Sequence, residues 1–176
     1  VGSEMCIRDS KLYYNAQDQT PAVSVKDGIT GMGSVAVLCE QAEGGLAPNG
    51  VKEPGEYRLR LTVSEGTNYN AATIFLANVE VVTIEKPRTC TVSGTKGNKV
   101  DGVQWYKSDV TFTAPTGYLI SLEETGEYAA KKVYSAEGLQ ASENIYYKEQ
   151  KTGGIWGTEA MPEFGIDKTA PSAELM

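Results

Sequence analysis

The sequence predicts an all-β protein, a sandwich or barrel of short antiparallel strands. Three observations predict it. Apolar and polar residues alternate with a period of two in many short runs. Turn-forming clusters separate those runs, drawing on 19 Gly and 7 Pro. No window sustains the 3.6-residue period of an amphipathic helix.

The clearest strand is EYRLRLTV, residues 56–63. Tyr57, Leu59, Leu61 and Val63 fall on one face, and Glu56, Arg58, Arg60 and Thr62 on the other. That is the pattern of a half-buried antiparallel strand. AVSVK (22–26) and SVAVLC (34–39) precede it. DVTFT (109–113), GYLISL (117–122), EYAAKKVY (127–134) and NIYYKE (144–149) follow. The run ATIFLANVEVVTI (72–84) is long and apolar, and its alternation slips at Val81–Val82, which predicts a bulge there. One short helical turn is expected within SAEGLQASE (135–143). Turn chemistry fills KDGITGMG, EGGLAPNG, KEPGE, SEGTN, APTG and TGGIWG, with a hairpin turn at Gly153–Gly154. Pro87 in the charged stretch EKPRT (85–89) marks a domain boundary, and IDKTAP (166–171) a second.

Composition narrows the chemistry. The net charge is −7, from 16 basic and 23 acidic residues. This points away from nucleic acid and from anionic lipid. No apolar run approaches the ~18 residues of a membrane span, so no membrane insertion is expected of this stretch. The chain has no His, which excludes Ser-His-Asp and Cys-His triads and ordinary zinc sites. Carboxylate chemistry and calcium remain. Cys6, Cys39 and Cys90 form no C-x-x-C pair. Cys39 closes SVAVLC on the face of Val35 and Val37 and reads as a small buried hydrophobe. A Cys39–Cys90 bridge is not expected, because the two fall in different segments.

The opening decad, VGSEMCIRDS, has no structural rationale. Back-translated as GTG GGC TCG GAG ATG TGT ATA AGA GAC AGY, it reads as a transposon-end adapter of sequencing libraries, followed in frame. Val1 to Asp9 are covered completely and Ser10 by two of its three bases. Residues 1–9 are therefore expected to be non-native, with Met5 no initiator and Cys6 packed against nothing. The chain is then expected to be a slice of a longer protein.

KLYYNAQDQTPAVSV, PGEYRLRLTVSEGTNYNAA and VEVVTI together resemble a bacterial Ig-like repeat of large Gram-positive-type surface proteins. Ala16 stands where that repeat carries Gly, and 27–50 is irregular. VQWYKSDVTFTAPTGYLIS, IYYKEQKTGGIW and IDKTAP are similar to a second repeat type from the same proteins. The last resembles the Asp-Lys-Thr-Ala-Pro junction that joins such modules. The resemblance implies two tandem Ig-like antiparallel β-sandwiches, 10–86 and 87–168, with 169–176 beginning a further module. It implies an extracellular place, at the cell surface or secreted, with neighbouring Ig-like modules as partners. It further implies a non-catalytic spacer role, without cofactor or metal. Two alternatives stay open: a module that binds a glycan or a host surface protein, and accessory domains of a surface glycoside hydrolase or protease.

The candidate ligand-facing residues are the aromatics Trp105, Tyr106 and Trp156, whose rings could stack on sugars. Tyr118, Tyr146 and Tyr147 add to their density, and alternation sends at least one of Tyr146 and Tyr147 inward. Glu123, Glu124 and Glu127 could hold calcium or an acid/base pair, but read first as a solvated loop. The spaced ligands of an EF-hand loop are missing. No Lys–Asn isopeptide triplet is assignable. Tyr57, following Pro54-Gly55, is expected to be buried with its hydroxyl on a main-chain group, as in a tyrosine corner.

Overall fold

A computed structural model describes residues 10–169, apart from the side chain of Thr158. The adapter reading of residues 1–9, the environment of Cys6 and most of the further module expected at 169–176 fall outside the described residues. Every regular element among those described is a β-strand. The chain separates into two compact units between Thr83 and Ile84.

Among the described residues the first unit has four strands: β1 (Ser10–Tyr13), β2 (Val35–Gln41), β3 (Gly55–Val63) and β4 (Ala72–Val82). They form one sheet in the order β1-β4-β3-β2. β3 lies antiparallel to both neighbours, as its alternation requires. β1 instead runs parallel to β4, pairing Ser10 with Val79 through Tyr13 with Val82. The bulge in β4 is at Leu76, skipped between the pairs Leu59–Ala77 and Arg60–Phe75, and not at Val81–Val82. Alternation is in fact regular through Ala77, Val79 and Val81, all buried.

AVSVK is not a strand. Val23 and Val25 are half-buried and their neighbours exposed, so the alternation is real. Among the described residues no adjacent strand takes up the backbone, however. Irregular chain supplies the second layer here: Tyr14, Ala47 and fully buried Val51 pack with Cys39, Tyr57, Leu59, Val79 and Val81. A polar knot holds that layer down. Asp18 Oδ1 accepts from Thr20 N (2.9 Å), Thr20 Oγ1 (2.6 Å) and Val51 N (3.1 Å). Thr20 Oγ1 also lies 3.5 Å from Cys39 Sγ. Ala16, where the resemblance has Gly, holds a φ of 60°, in the left-handed region that favours glycine.

The Thr20 hydroxyl, then the Thr20 and Val51 amides, hold the Asp18 carboxyl below its ordinary value of 3.8, against a small burial effect. A depressed carboxyl stabilises the fold fully above its unfolded value and loses that contribution as pH falls through the lower folded value. Asp18→Asn is therefore expected to flatten the acid limb of the first unit's stability below about pH 4. Urea midpoints for both proteins between pH 2 and pH 7, on the order of that range, check it; parallel curves would refute it.

Tyr57 is 5% exposed, and its hydroxyl donates to Glu53 O at 2.7 Å. Tyr128 in the second unit repeats the arrangement, donating to Glu124 O at 2.8 Å. In each case a tyrosine reaches the carbonyl four residues upstream and closes the turn before its own segment.

Among the described residues the second unit carries ten strands. β5 (Thr91–Ser93), β8 (Val110–Thr113) and β10 (Lys131–Tyr134) form one antiparallel sheet with β8 central. β9 (Tyr118–Ser121), β12 (Asn144–Glu149) and β13 (Ile155–Ala160) form another, with β12 central. β6 (Lys96–Val100), β7 (Val103–Tyr106), β11 (Gly138–Gln140) and β14 (Phe164–Ile166) form the third, in the order β11-β14-β7-β6. All three sheets contribute to one core of Tyr106, Val110, Phe112, Ile120, Ile145, Tyr147, Phe164 and Ile166, with Cys90 and Met161. β7 and β14 pair in parallel, so each unit sets an early strand beside its last described one.

The expected helical turn at 135–143 instead contains β11. Gly138 there has a φ of 109°, which no right-handed helix accommodates. The division falls just before EKPRT, between Thr83 and Ile84, so that stretch belongs to the second unit. Ile84, Pro87 and Cys90 are buried and the residues between them exposed. Cys39 and Cys90 are both buried free thiols.

Candidate functional site

The three candidate aromatics part company in the structure. Tyr106, 8% exposed, is a core residue, its ring edge-on to Phe164 at 6.0 Å. Trp156 on β13 is half-buried and structural in its contacts. Its ring meets Tyr147 at 6.1 Å, and Lys86 Nζ lies 5.3 Å from its centroid. Trp105 alone faces outward into a groove. It lies within a strand, Val103–Tyr106.

Around Trp156 a hydrogen-bond chain ties the entry segment to the unit. Cys90 N donates to Tyr147 Oη at 3.0 Å, and that hydroxyl donates to Glu159 Oε2 at 2.8 Å. Thr89 Oγ1 donates to Glu159 Oε1 at 3.1 Å, with Lys86 Nζ 3.9 Å from the same oxygen. Burial, first of all, pushes the Tyr147 hydroxyl and the Cys90 thiol up from their ordinary values. Both stay protonated, and Cys90 is no nucleophile. Tyr147→Phe leaves the buried Cys90 N–H without its acceptor and is expected to cost about 1–3 kcal/mol. Urea unfolding checks it, and a loss below about 0.5 kcal/mol would contradict it.

The Trp105 groove has a volume of about 680 Å³ and is lined in part by Asn98, Lys107, Asp167, Lys168 and Thr169. Strand register explains it. Phe164 and Ile166 of β14 point into the core beside Gln104 and Tyr106 of β7, so Gly165 and Trp105 form the outward pair between them. A Cβ at Gly165 would overlap Cδ2, Cε3 and Cε2 of the indole. Cδ2 and the two ring atoms bonded to it, Cε3 and Cε2, are close to equidistant from that point, so the indole lies face-on over Gly165. Only glycine permits that approach. Two residues on, Lys107 and Asp167 are again outward and exposed, joined through the bond from Asp167 N to Tyr106 O (2.9 Å). Asn98 comes from the irregular middle of the β6–β7 ladder, where register shifts between Lys96 and Lys99.

The exit segment is fixed as firmly as the entry. Lys168 Nζ donates to Asp109 Oδ1 (3.0 Å) and Ser135 O (2.7 Å). Lys168 N donates to Glu137 Oε1 at 2.9 Å, and Thr169 Oγ1 to both Glu137 oxygens at 3.2 Å. Glu123, Glu124 and Glu127 lie in the β9–β10 loop, Glu123 and Glu127 exposed. Among the described residues no three His, Cys, Asp or Glu side chains come together as a metal-holding group. No known family model, curated protein or solved structure matches this chain, so its function is argued from these residues alone.

Proposed function

We propose that the two units are Ig-like spacer modules of a bacterial cell-surface or secreted multidomain protein, without catalysis of their own. One observation carries this reading: β1, entering the first unit, runs in register and parallel beside β4, which leaves it. Tension along the chain pulls parallel neighbours in opposite senses along their own length. Their bonds are then loaded together, in shear, and not opened one at a time. Such a pairing suits a chain held under load between two other bodies.

Two further features agree with the reading. The second unit's entry and exit segments are fastened to its body through Glu159, Glu137 and Asp109, which stiffens the chain where a neighbouring module would join. Ala16 has the left-handed backbone that a glycine would fill in the repeat it resembles. Neighbouring Ig-like modules are the proposed partners.

A display experiment tests the role. The fragment is placed between a cell-wall anchor and a small binding domain, and compared with a version lacking residues 10–169. Loss of the units should reduce capture of ligand-coated beads and leave binding of the same soluble ligand unchanged. Equal bead capture by both versions would refute the spacer reading.

A further inference from the structure

We infer that the outer face of β7 and β14 is a pyranoside-binding site centred on Trp105. Such a site goes beyond a spacer role and does not depend on it.

Gly165 takes one face of the indole, and Trp105 lines the groove. An aromatic ring laid flat on a sheet offers an apolar plane to an equally flat ligand. The C–H face of a pyranose ring is such a plane. Beside it, at the next outward position of each strand, stand an ammonium and a carboxylate, Lys107 and Asp167, with the Asn98 amide across the ladder. Lys107 packs its stem along Gly97, which leaves the ammonium at the groove edge. Lys168 already spends its ammonium on Asp109 and Ser135, so among the described residues lining the groove the cation with no ion pair is Lys107.

This mixture selects the ligand class. A sugar hydroxyl both donates and accepts. Vicinal hydroxyls on a ring stacked over Trp105 would donate to Asp167 and accept from Lys107 and Asn98. An apolar peptide would leave that carboxylate and ammonium desolvated without partners, a cost that disfavours it. A nucleic-acid strand would meet a chain of net charge −7. The groove volume of about 680 Å³ falls within the ~300–1,000 Å³ usual for small-ligand sites.

The test is a tryptophan-fluorescence titration of the whole chain carrying Trp156→Phe, excited beyond the tyrosine absorption band so that Trp105 alone emits. The probes are hexasaccharides of β-1,4-linked glucose, N-acetylglucosamine and glucuronate, each taken to about 10 mM. At least one should shift the Trp105 emission saturably. Lys107→Ala, at an exposed position, should then weaken binding about 3–10-fold. Trp105→Ala, followed by calorimetry, should weaken it more than ten-fold, about 1.4 kcal/mol or more, and Trp105→Phe should fall between. No saturable response to any of the three probes overturns the proposal. So does binding that Lys107→Ala and Trp105→Phe both leave unchanged, since the sugar would then sit elsewhere.

Discussion

Phe112→Ala is expected to lower the stability of the second unit by about 3–5 kcal/mol. Phe112 is 2% exposed at the centre of β8, with Tyr134 at 5.8 Å and Phe164 at 5.6 Å between ring centroids. Those rings come from β10 and β14, so the phenyl group joins two of the three sheets over one core. Truncation removes its burial and both ring contacts and leaves a cavity that strands fixed by their ladders cannot close. The loss is a large share of the ~5–15 kcal/mol typical of a domain. Both tryptophans belong to this unit, so intrinsic fluorescence follows its unfolding selectively. The urea midpoint should fall by about 2 M with an unchanged slope. A shift under about 0.5 M would mean that the three sheets do not share this core.

Gly50→Ala is expected to cost the first unit about 2–4 kcal/mol, from left-handed strain and broken hydrogen bonds together. Gly50 has a φ of 70°, where an L side chain is strained. A Cβ there would also overlap Asp18 Oδ1 and meet Thr20 Oγ1. Those atoms hold Val51 N at 3.1 and 3.0 Å, and Val51 is the fully buried centre of the irregular layer. The substitution therefore drives apart the knot that presses this layer onto the sheet. Hydrogen exchange at the Val51 amide should accelerate by at least about 30-fold, the equivalent of ~2 kcal/mol. Unchanged exchange would show that the layer does not depend on the knot.

Particular residues show how far the sequence was legible. NIYYKE is β12 from end to end, and EYRLRLTV is β3 with one residue added. These strands lie inside their sheets, so one apolar face and one polar face are forced on them. The same logic placed Tyr57 correctly, because a buried phenol must find a partner for its hydroxyl. The failures follow from the same physics. Alternation reports which face is buried, not whether a neighbour pairs with the backbone, and AVSVK alternates without a strand partner among the described residues. β6, KGNKV, is an edge strand whose lysines and glycine carry no apolar period, as edge strands commonly do.

The candidate site was half legible. Trp105, Tyr106 and Trp156 were named together, yet a strand alternates, so Trp105 and Tyr106 had to face opposite sides. Composition alone does not say which. The glycine opposite Trp105, and the lysine and aspartate two positions on, were invisible as a group because β7 and β14 are about 60 residues apart and become neighbours only through parallel pairing. The knot of Asp18, Thr20 and Val51 was missed for the same reason. Its signal is Asp18-x-Thr20, a pair that bonds its own backbone, followed at a distance by a glycine.

Pulling on the first unit in two directions tests the central claim most directly, that its ends are paired to bear load. With handles at Ser10 and Val82, force runs along β1 and β4 and loads their parallel ladder in shear. With handles at Tyr13 and Val82, which pair with each other, force acts across the ladder and opens it from one end. The account predicts a markedly higher rupture force for Ser10–Val82 than for Tyr13–Val82 at the same loading rate. Equal forces in the two directions would contradict it.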